Sequence, residues 1–337
     1  MRSVGLVIGL GVAGGQMNNL LRLLSDGRFH SGEELGSVLG VSRSAVWKNL
    51  KRFEAEFGIE LFRVPGKGYR LAEPLSLINH EESAAALADL GWTLYILDTV
   101  DSTNAEAFRL IQAGVTTPFV VVSEAQTAGR GRRGRAWVSP SAQNIYYTLA
   151  LKITRGPSAL SALSLVVGLA VLKALRLAGV SNAGLKWPND VLADGKKIAG
   201  ILVELSGDPA DVCHVIIGIG VNVNMTPGSL DVGQPWTSVR EQVGGLCDRG
   251  KLLQLISRLL SEYLSRHARE GFAALHEEWE ANNIWRGKQC TLSTGSQQFT
   301  GMMMGVDQQG ALRLRINDQE QRSFSGGELS LRLNHDS

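Results

Sequence analysis

The middle of the chain alternates short apolar segments with polar segments that contain glycine, and this alternation limits the folds it can adopt. Strand-like apolar patterning occupies residues 94–97, 119–122, 145–151, 198–205 and 215–221, and a long apolar segment over 159–177 has the character of a helix. Strands and a helix in one continuous stretch predict an α/β domain. The full 337 residues are enough for two or three domains.

Charge and cysteine content exclude several classes of protein. The formal net charge is only +2, so any contact with nucleic acid must come from a local basic patch. Cys213, Cys247 and Cys290 have no short-range spacing, which argues against a disulfide framework and against a zinc site. Unpaired cysteines fit a reducing compartment, so we expect a cytoplasmic protein without a membrane partner.

The first residues form an apolar, glycine-rich segment. Residues 3–15 are too few to span a bilayer, and as a signal peptide the segment has only Arg2 as a charge and no clear cleavage site. Gly9-Leu-Gly-Val-Ala-Gly14 matches a dinucleotide-binding pattern but lacks a full preceding strand and a βαβ unit. We therefore expect 1–16 to be a disordered extension.

Residues 17–74 have the pattern of a small helical domain. A first helix runs from Asn18 towards Asp26, and Ser31 with Glu34 predicts a capping box on a second helix. A tight turn at Gly40 separates this helix from a third one, which Ser42 can cap. Two helices joined by a short glycine turn predict a helix-turn-helix. Their apolar faces comprise Leu20, Leu21, Leu23 and Leu24, then Leu35, Val38 and Leu39, then Val46, Leu50 and Phe53.

The third helix and the segment after it are basic. Two short strands around Pro65-Gly66-Lys67-Gly68, within 60–71, predict a basic hairpin, or wing. The alternative is a solvated basic face on a small bundle, and the wing favours DNA binding over it. The predicted DNA-contacting residues are Arg43, Ser44, Trp47, Lys48, Lys51 and Arg52.

Polar motifs interrupt the apolar segments of the central region. The first, Asp101-Ser-Thr-Asn104, follows a strand and opens a helix. These residue types either cap the helix or present hydroxyl and amide groups to a small polar pocket.

The second motif is Gly129-Arg-Gly-Arg-Arg-Gly-Arg135, which contains only glycine and arginine. No helical stripe follows it, so it is not a Rossmann turn. Glycine lets a backbone approach a ligand, and arginine binds a phosphate through two parallel hydrogen bonds. We expect a loop that is disordered when empty and ordered around a polyphosphate or acyl phosphate. A merely solvated loop is the alternative, which the adjacent Trp137 disfavours.

Two further motifs contain lysine. Lys186-Trp-Pro-Asn-Asp190 fits a plain hairpin, but its lysine, amide and carboxylate could also serve a nucleotide and Mg²⁺. In Lys197-Ile-Ala-Gly-Ile-Leu-Val-Glu204, a lysine at the start of a buried strand is costly unless its amine meets an anion. Gly218-Ile-Gly-Val-Asn-Val-Asn224 has glycines that can admit a ligand or another backbone.

The chain has no pattern of a protein nucleophile and no metal-ligand spacing. Arginine and lysine around a nucleotide, without a nucleophile, indicate activation of a substrate carboxylate by ATP, through alignment and charge stabilisation.

These motifs resemble, in this order, those of the bifunctional biotin–protein ligase and biotin operon repressor family. The resemblance covers about residues 17–333 and includes, besides the motifs above, Val64-Pro-Gly-Lys-Gly-Tyr69 in the wing. It implies an α+β multidomain protein: a winged helix-turn-helix domain (17–74), an α/β ligase domain with a mixed sheet (83–281) and an SH3-like β-barrel (284–333).

The resemblance also implies a function. Biotin and MgATP would form biotinyl-5′-AMP, which would then biotinylate a lysine of the biotin carboxyl carrier protein of acetyl-CoA carboxylase. The adenylate-bound protein would form a homodimer and repress the biotin operon at a palindromic operator. A biotin sensor without catalysis and a ligase without operator binding remain alternatives; the related lipoate ligases are disfavoured by the arginine loop and the winged helix.

Site residues follow from the resemblance by position. The implied catalytic residues are Lys197, Arg132 and Lys186, and protein ligands for Mg²⁺ stay unassigned. Biotin would meet Ser102, Thr103, Asn104, Gln126, Arg130, Gly131, Arg132 and Lys197. The nucleotide would meet Arg132, Arg135, Asn189, Asp190, Asn222 and Trp236, the last an aromatic residue that covers adenine.

Overall fold

The computed structural model of the chain describes residues 15–57, 60–153, 160, 162–207, 213–227, 232–295, 297–325 and 329–334. Its first domain contains three helices and a two-stranded antiparallel hairpin. Their bounds are α1 Gly15–Leu24, α2 Gly32–Leu39, α3 Arg43–Phe57, β1 Leu61–Val64 and β2 Gly68–Leu71.

Local sequence signals explain these boundaries. Ser31 and Glu34 form the predicted capping box, and Gly40 ends α2 in the left-handed conformation. Ser42 accepts from the backbone N–H of Ala45 at 3.2 Å, as expected for the start of α3. The predicted winged helix-turn-helix is therefore confirmed.

Two details of the helical prediction need correction. Val38, assigned to the apolar face of α2, is 63% exposed, whereas Leu35 one turn earlier is fully buried, so the buried stripe of α2 is narrower than predicted. Residues 15 and 16 belong to α1 rather than to the predicted extension, and residues 1–14 lie outside the described part of the chain, as does the side chain of Phe53.

The central domain is built on a seven-stranded sheet with the order β3-β4-β5-β9-β8-β7-β6. Among its described strands β3 and β4 pair in parallel and the other neighbours pair antiparallel, so the sheet is mixed, as predicted. The strands are β3 Thr93–Val100, β4 Phe119–Gln126, β5 Ile145–Ile153, β6 Ala183–Lys186, β7 Asp190–Ala193, β8 Lys196–Gly207 and β9 Cys213–Val221. The helices are α4 His80–Ala88, α5 Thr103–Gln112, α6 Leu163–Leu177, α7 Val239–Val243, α8 Arg249–Glu270 and α9 His276–Ala281.

Both faces of this sheet are covered. Alternate residues of β4 point to opposite sides, so that Val120 and Val122 join the large core under α6 and α8. Phe119 and Val121 join a smaller core under α5. Burial on both faces explains why these strands are apolar along most of their length in the sequence.

The C-terminal strands form one antiparallel sheet with the order β13-β12-β11-β10-β14. They are β10 Gln289–Thr294, β11 Gln297–Val306, β12 Leu312–Asn317, β13 Glu320–Phe324 and β14 Leu329–Leu333. Within the described residues the edge strands β13 and β14 do not pair, so the predicted SH3-like barrel is an open sheet here. Cys290, Leu292 and Met303 extend the large core of the central domain, and so the C-terminal sheet is packed against it.

The described residues contain neither a membrane-spanning helix nor a cluster of metal-binding side chains. No helix in them has the length and apolar character needed to cross a bilayer. They also contain no cluster of three or more histidine, cysteine, aspartate or glutamate side chains arranged to hold a metal ion.

Candidate functional site

A cavity on the face of the central sheet collects residues from distant parts of the sequence. Its floor is β5, β8 and β9, and its walls are the start of α5, the end of β4 and the arginine loop. Nine residues predicted from the sequence line it: Ser102, Thr103, Asn104, Gln126, Arg130, Gly131, Arg132, Asn189 and Lys197.

One end of the cavity is polar and closed. Ser102 is the N-cap of α5 but makes no side-chain capping bond, and it lines the cavity. The backbone N–H of Thr103 donates to Gln126 Oε1 at 2.9 Å. Asn104 is held at both ends of its amide, by Thr148 Oγ1 at 2.7 Å and Glu204 Oε2 at 2.6 Å. The pocket interpretation of the first motif therefore describes the structure better than the capping interpretation.

Glycines in β9 make room for the side chains that line the cavity. A Cβ atom at Gly218 would lie 3.0 Å from Asn104 Cγ and closer still to its Oδ1. At Gly220 it would lie 2.7 Å from the indole nitrogen of Trp137. The glycines of β9 were predicted to admit a ligand or another backbone, and here they accommodate the side chains of Asn104 and Trp137.

The arginine loop is folded back on itself by backbone hydrogen bonds. The N–H of Gly131 donates to Arg135 O at 2.7 Å, and the N–H of Trp137 donates to Gly129 O at 2.8 Å. Between them lies a short 3₁₀ turn, Arg132–Gly134, with Arg133 in the left-handed region at φ 59°. This geometry confirms that the motif is not a Rossmann turn, because no α-helix follows it.

Arg132 points from this loop into the molecule. Its Nη1 donates to Asn189 Oδ1 at 2.9 Å, and its Nη2 donates to the carbonyl oxygen of Leu329, in the C-terminal sheet, at 3.4 Å. Burial lowers the pKa of this guanidinium, with the charge of Asp190 acting in the opposite direction. Arg135, by contrast, is exposed and lines neither this cavity nor its neighbour.

Two lysines converge on a single buried carboxylate. Lys197 Nζ lies 2.7 Å from Asp190 Oδ1, and Lys186 Nζ lies 3.3 Å from Oδ2. Burial alone would raise the pKa of the Asp190 carboxyl, but Lys197 and Lys186 outweigh burial and hold that pKa below its usual value. The anion that the buried-strand lysine was predicted to meet is therefore Asp190 in this structure. With Arg132 beside it, the group keeps an excess of positive charge, which favours an anionic ligand.

A smaller cavity adjoins the first on the side of Trp236. Trp137 and Lys197 line both cavities, and Asn222 and Trp236 line the smaller one. The segment that carries Trp236 is held beside β8, because Lys197 N donates to Pro235 O at 3.1 Å. Asn222 donates through Nδ2 to the carbonyl oxygens of Lys197 and Thr237, at 3.3 and 3.1 Å. Asn222 thus maintains the wall of the smaller cavity.

Sequence reasoning missed several residues of the site. Thr148 is fully buried and has no motif around it, so nothing local indicated its role. Glu204 lies within the fourth motif but was assigned no function, and Trp137 was noticed only as evidence that the loop is folded. The indole N–H of Trp137 is buried and has no acceptor among the described residues.

The predicted DNA-contacting residues form a separate surface. All six are exposed on α3, and Lys51 Nζ lies 4.3 Å from the centre of the Trp47 ring. The wing is attached to the helices through His30 and Tyr69, whose backbone groups exchange hydrogen bonds of 2.9 and 2.8 Å. A basic helix beside a fixed wing is a geometry suited to a DNA groove.

Models of three known families match successive parts of the chain. The HTH domain matches residues 16–70, the biotin/lipoate A/B protein ligase family matches 96–222, and the biotin protein ligase C terminal domain matches 287–332. The Bifunctional ligase/repressor BirA of Escherichia coli is 38% identical over 315 residues, which cover 93% of this chain and 96% of that protein. The chain belongs to the biotin protein ligase family.

Other biotin protein ligases support this assignment. The biotin–[acetyl-CoA-carboxylase] ligase of Paracoccus denitrificans is 39% identical over 65% of this chain and 93% of its own length. The biotin protein ligase from Aquifex aeolicus, solved in complex with biotin and ATP, superposes with a TM-score of 0.63 and 32% identity, covering 72% of this chain and 99% of that one. The order of domains in this biotin protein ligase confirms the fold class predicted from the sequence.

Proposed function

We propose that this chain is an ATP-dependent biotin–[acetyl-CoA-carboxylase] ligase and a repressor of the biotin operon. It would form biotinyl-5′-AMP and transfer biotin to a lysine of the biotin carboxyl carrier protein. The observation that carries the proposal is a single cavity that joins the closed polar end around Asn104 to the cationic group around Lys197. Such a cavity suits a ligand with a polar ring at one end and a carboxylate at the other.

Binding would begin at the polar end. The ureido ring of biotin has N–H donors and a carbonyl acceptor, and the groups of Ser102, Thr103, Asn104 and Gln126 offer the complementary partners. The apolar part of biotin would lie along the glycine-lined floor. Its carboxylate would then reach Lys197, which lies near the start of β8 beside Asp190.

Adenylation would need no protein nucleophile. A carboxylate oxygen of biotin attacks the α-phosphorus of ATP, an O–P bond forms, and the bond to the β-phosphate breaks to release pyrophosphate. Lys197 and Arg132 would neutralise the charge that develops on the α-phosphate, and Lys186 would balance Asp190. Arg135, Asn189, Asn222 and Trp236 are proposed on the nucleotide side, with Trp236 covering adenine.

Mg²⁺ is proposed to arrive with ATP, where it would neutralise phosphate charge. Both oxygens of Asp190 already meet lysines, at 2.7 and 3.3 Å, so this carboxylate fits a role beside the phosphates better than a dedicated metal site. The ion would be held mainly by the triphosphate.

Transfer of biotin from the adenylate to the carrier protein would follow at the same cavity. The neutral ε-amine of the carrier lysine attacks the acyl carbon, a C–N bond forms, the C–O bond to phosphate breaks, and AMP leaves as the amine loses a proton. The arginine loop and Trp137 would keep water from the mixed anhydride until then.

Repression would use a different part of the molecule. The exposed face of α3, with Arg43, Lys48 and Lys51, would contact operator DNA, and the adenylate-bound protein would bind as a homodimer. We also propose domain bounds of 17–74, 83–281 and 284–333. A cytoplasmic location is proposed as well, supported by three cysteines without disulfide bonds.

The test is release of pyrophosphate by the purified chain with MgATP, with and without biotin and without any carrier protein. Biotin-dependent release would establish adenylate formation. Binding of biotin without release would favour the alternative of a biotin sensor, and absence of both would contradict the proposal. A gel shift with biotin-operon DNA, with and without pre-formed adenylate, separates a ligase that has no operator activity from a bifunctional protein.

A further inference from the structure

A carboxylate on β8 lies directly behind the polar end of the cavity. Glu204 Oε2 accepts a hydrogen bond from Asn104 Nδ2 at 2.6 Å. The same oxygen lies 3.6 Å from Nη2 of Arg130 in the arginine loop. The Glu204 side chain is 28% exposed, so this carboxylate is partly shielded from water.

The chemistry of these groups determines how Asn104 is oriented. An ionised carboxylate only accepts hydrogen bonds, so the NH₂ group of Asn104 must face Glu204. The amide oxygen then faces the opposite way, where the hydroxyl of Thr148 donates to it at 2.7 Å. Reversing the amide would place its oxygen against the carboxylate, so that two acceptors would face each other, whereas the Thr148 hydroxyl can donate or accept; the carboxylate of Glu204 therefore fixes the orientation. Asn104 is therefore held as an acceptor, with a second lone pair on Oδ1 available to a ligand.

The sheet prevents the amide from moving away. A Cβ at Gly218 would lie 3.0 Å from Asn104 Cγ, so the amide lies against the backbone of β9. Gly218 pairs with Thr148 on one side, and Glu204 pairs with Ile216 on the other side of the same strand. The Asn104 residue is only 3% exposed. The hydrogen bond to Glu204 therefore acts on an Asn104 amide that has little room to move.

The contact with Arg130 connects the sheet to the loop. Arg130 and its neighbour Gly131 line the cavity, whereas Glu204 itself does not. Arg130 is 48% exposed, and a half-exposed ion pair at this separation contributes little by itself. The hydrogen bond to Asn104 is therefore the stronger of the two effects of Glu204.

We propose that Glu204 is a positioning residue for biotin. It holds Asn104 Oδ1 as the acceptor for one ureido N–H, and through Arg130 it favours the loop conformation that closes over the ring. This inference rests on the proposed function, because it takes biotin as the ligand of the cavity. It makes Glu204 a determinant of selectivity for a ring that donates hydrogen bonds.

Two substitutions separate the two effects. Glu204→Met keeps the volume of the side chain but removes both acceptors, so Asn104 loses its fixed orientation. Glu204→Gln can still accept from Asn104 through its amide oxygen but has no charge for Arg130. Glu106→Ala is the matched control, because Glu106 lies on α5 near Asn104 and pairs with Arg109 at 2.6 Å, away from the cavity.

The readouts are the KM for biotin, the KM for ATP and the discrimination between biotin and its two mono-N-methylated ureido analogues, all from pyrophosphate release. Glu204→Met should raise the KM for biotin by about tenfold or more and reduce the discrimination against one analogue by a similar factor, since a charge-assisted hydrogen bond is lost. The KM for ATP should stay within about twofold, because Asn104 lies at the other end of the cavity from the nucleotide groups. Glu204→Gln should restore the biotin KM to within about threefold of wild type, since its amide oxygen remains an acceptor.

Unchanged biotin KM and discrimination in Glu204→Met would overturn the proposal, as would equal losses for biotin and ATP, which indicate general damage. If Glu204→Met does not fold, Glu204→Gln decides: biotin should protect its arginine loop from trypsin less well than in the wild type, and equal protection contradicts the loop contact. A wild-type protein that neither binds nor activates biotin would instead refute the proposed function.

Discussion

Substitution of Gly218 by alanine tests whether the closed polar end of the cavity binds the biotin ring through Asn104. Gly218 lies in β9 with an ordinary extended backbone, so alanine causes no conformational strain there. The added Cβ would lie 3.0 Å from both Cγ and Nδ2 of Asn104 and closer to Oδ1. The perturbation is therefore a steric displacement of one amide group.

The size of the effect follows from the contacts of Asn104. Restoring van der Waals separation requires the amide to move by roughly 1 Å. Its bonds to Glu204 and Thr148, at 2.6 and 2.7 Å, cannot both survive that movement. A neutral hydrogen bond contributes about 1 kcal/mol and a charged one about 1.5–3 kcal/mol. Loss of about 1.5–3 kcal/mol corresponds to roughly a 10- to 100-fold change in an equilibrium constant, so we expect the KM for biotin to rise by roughly that factor.

Steady-state pyrophosphate release at saturating ATP measures this KM, and thermal unfolding shows whether the variant is folded. Gly245→Ala is the control, because a Cβ there meets nothing within 4 Å. The KM for ATP should change little in both variants. A folded Gly218→Ala protein with a biotin KM within about threefold of wild type would refute the assignment of Asn104 to the biotin ring, since that change is below one lost hydrogen bond.

Three other outcomes are expected. Lys197→Ala should abolish adenylation while leaving the fold intact, since it removes the ammonium nearest the reacting groups; near-normal biotin-dependent pyrophosphate release would disprove that role. Lys48→Ala combined with Lys51→Ala should weaken operator binding in a gel shift but not biotinylation, because both residues are exposed on α3, and an equal loss in both assays would contradict the division of labour. Burial alone would lower the pKa of His30, but hydrogen bonds to two neighbouring carboxylates raise it above 6.5. His30 should therefore stabilise the first domain below its unfolded pKa, and this stabilisation should disappear as the pH rises through the raised value; His30→Gln should remove that pH dependence of thermal unfolding, and an unchanged profile would exclude the effect.

Much of the fold was predictable because its signals are local. A capping box and left-handed glycine determined the limits of α2, and short apolar segments located the long strands within a few residues. The short strands β6 and β7 were not predicted as part of the sheet, although a hairpin in Lys186-Trp-Pro-Asn-Asp190 was one of the alternatives. Helices α4 and α8 were not predicted either.

The composition of the site was also largely determined by the sequence. The polar motifs, together with the family resemblance for Gln126, named nine residues that line the cavity, because charged and amide side chains are seldom buried in a core without a partner. The sequence could not show in which direction a side chain points. Arg135, predicted to contact the nucleotide, is exposed to solvent.

The tertiary structure alone decided which partners these residues meet. Asn104 and Glu204 are 100 positions apart, and Arg132 and Leu329 are 197 positions apart. Such pairs depend on strand order and register, which no local pattern encodes. Lys186 and Lys197 lie near Asp190 in the sequence, but both reach its carboxylate because β7 pairs with β6 on one side and with β8 on the other. The sequence by itself determined which chemical groups are available, whereas the packing of the mixed sheet determined their distances and orientations, because these are set by contacts distant along the chain.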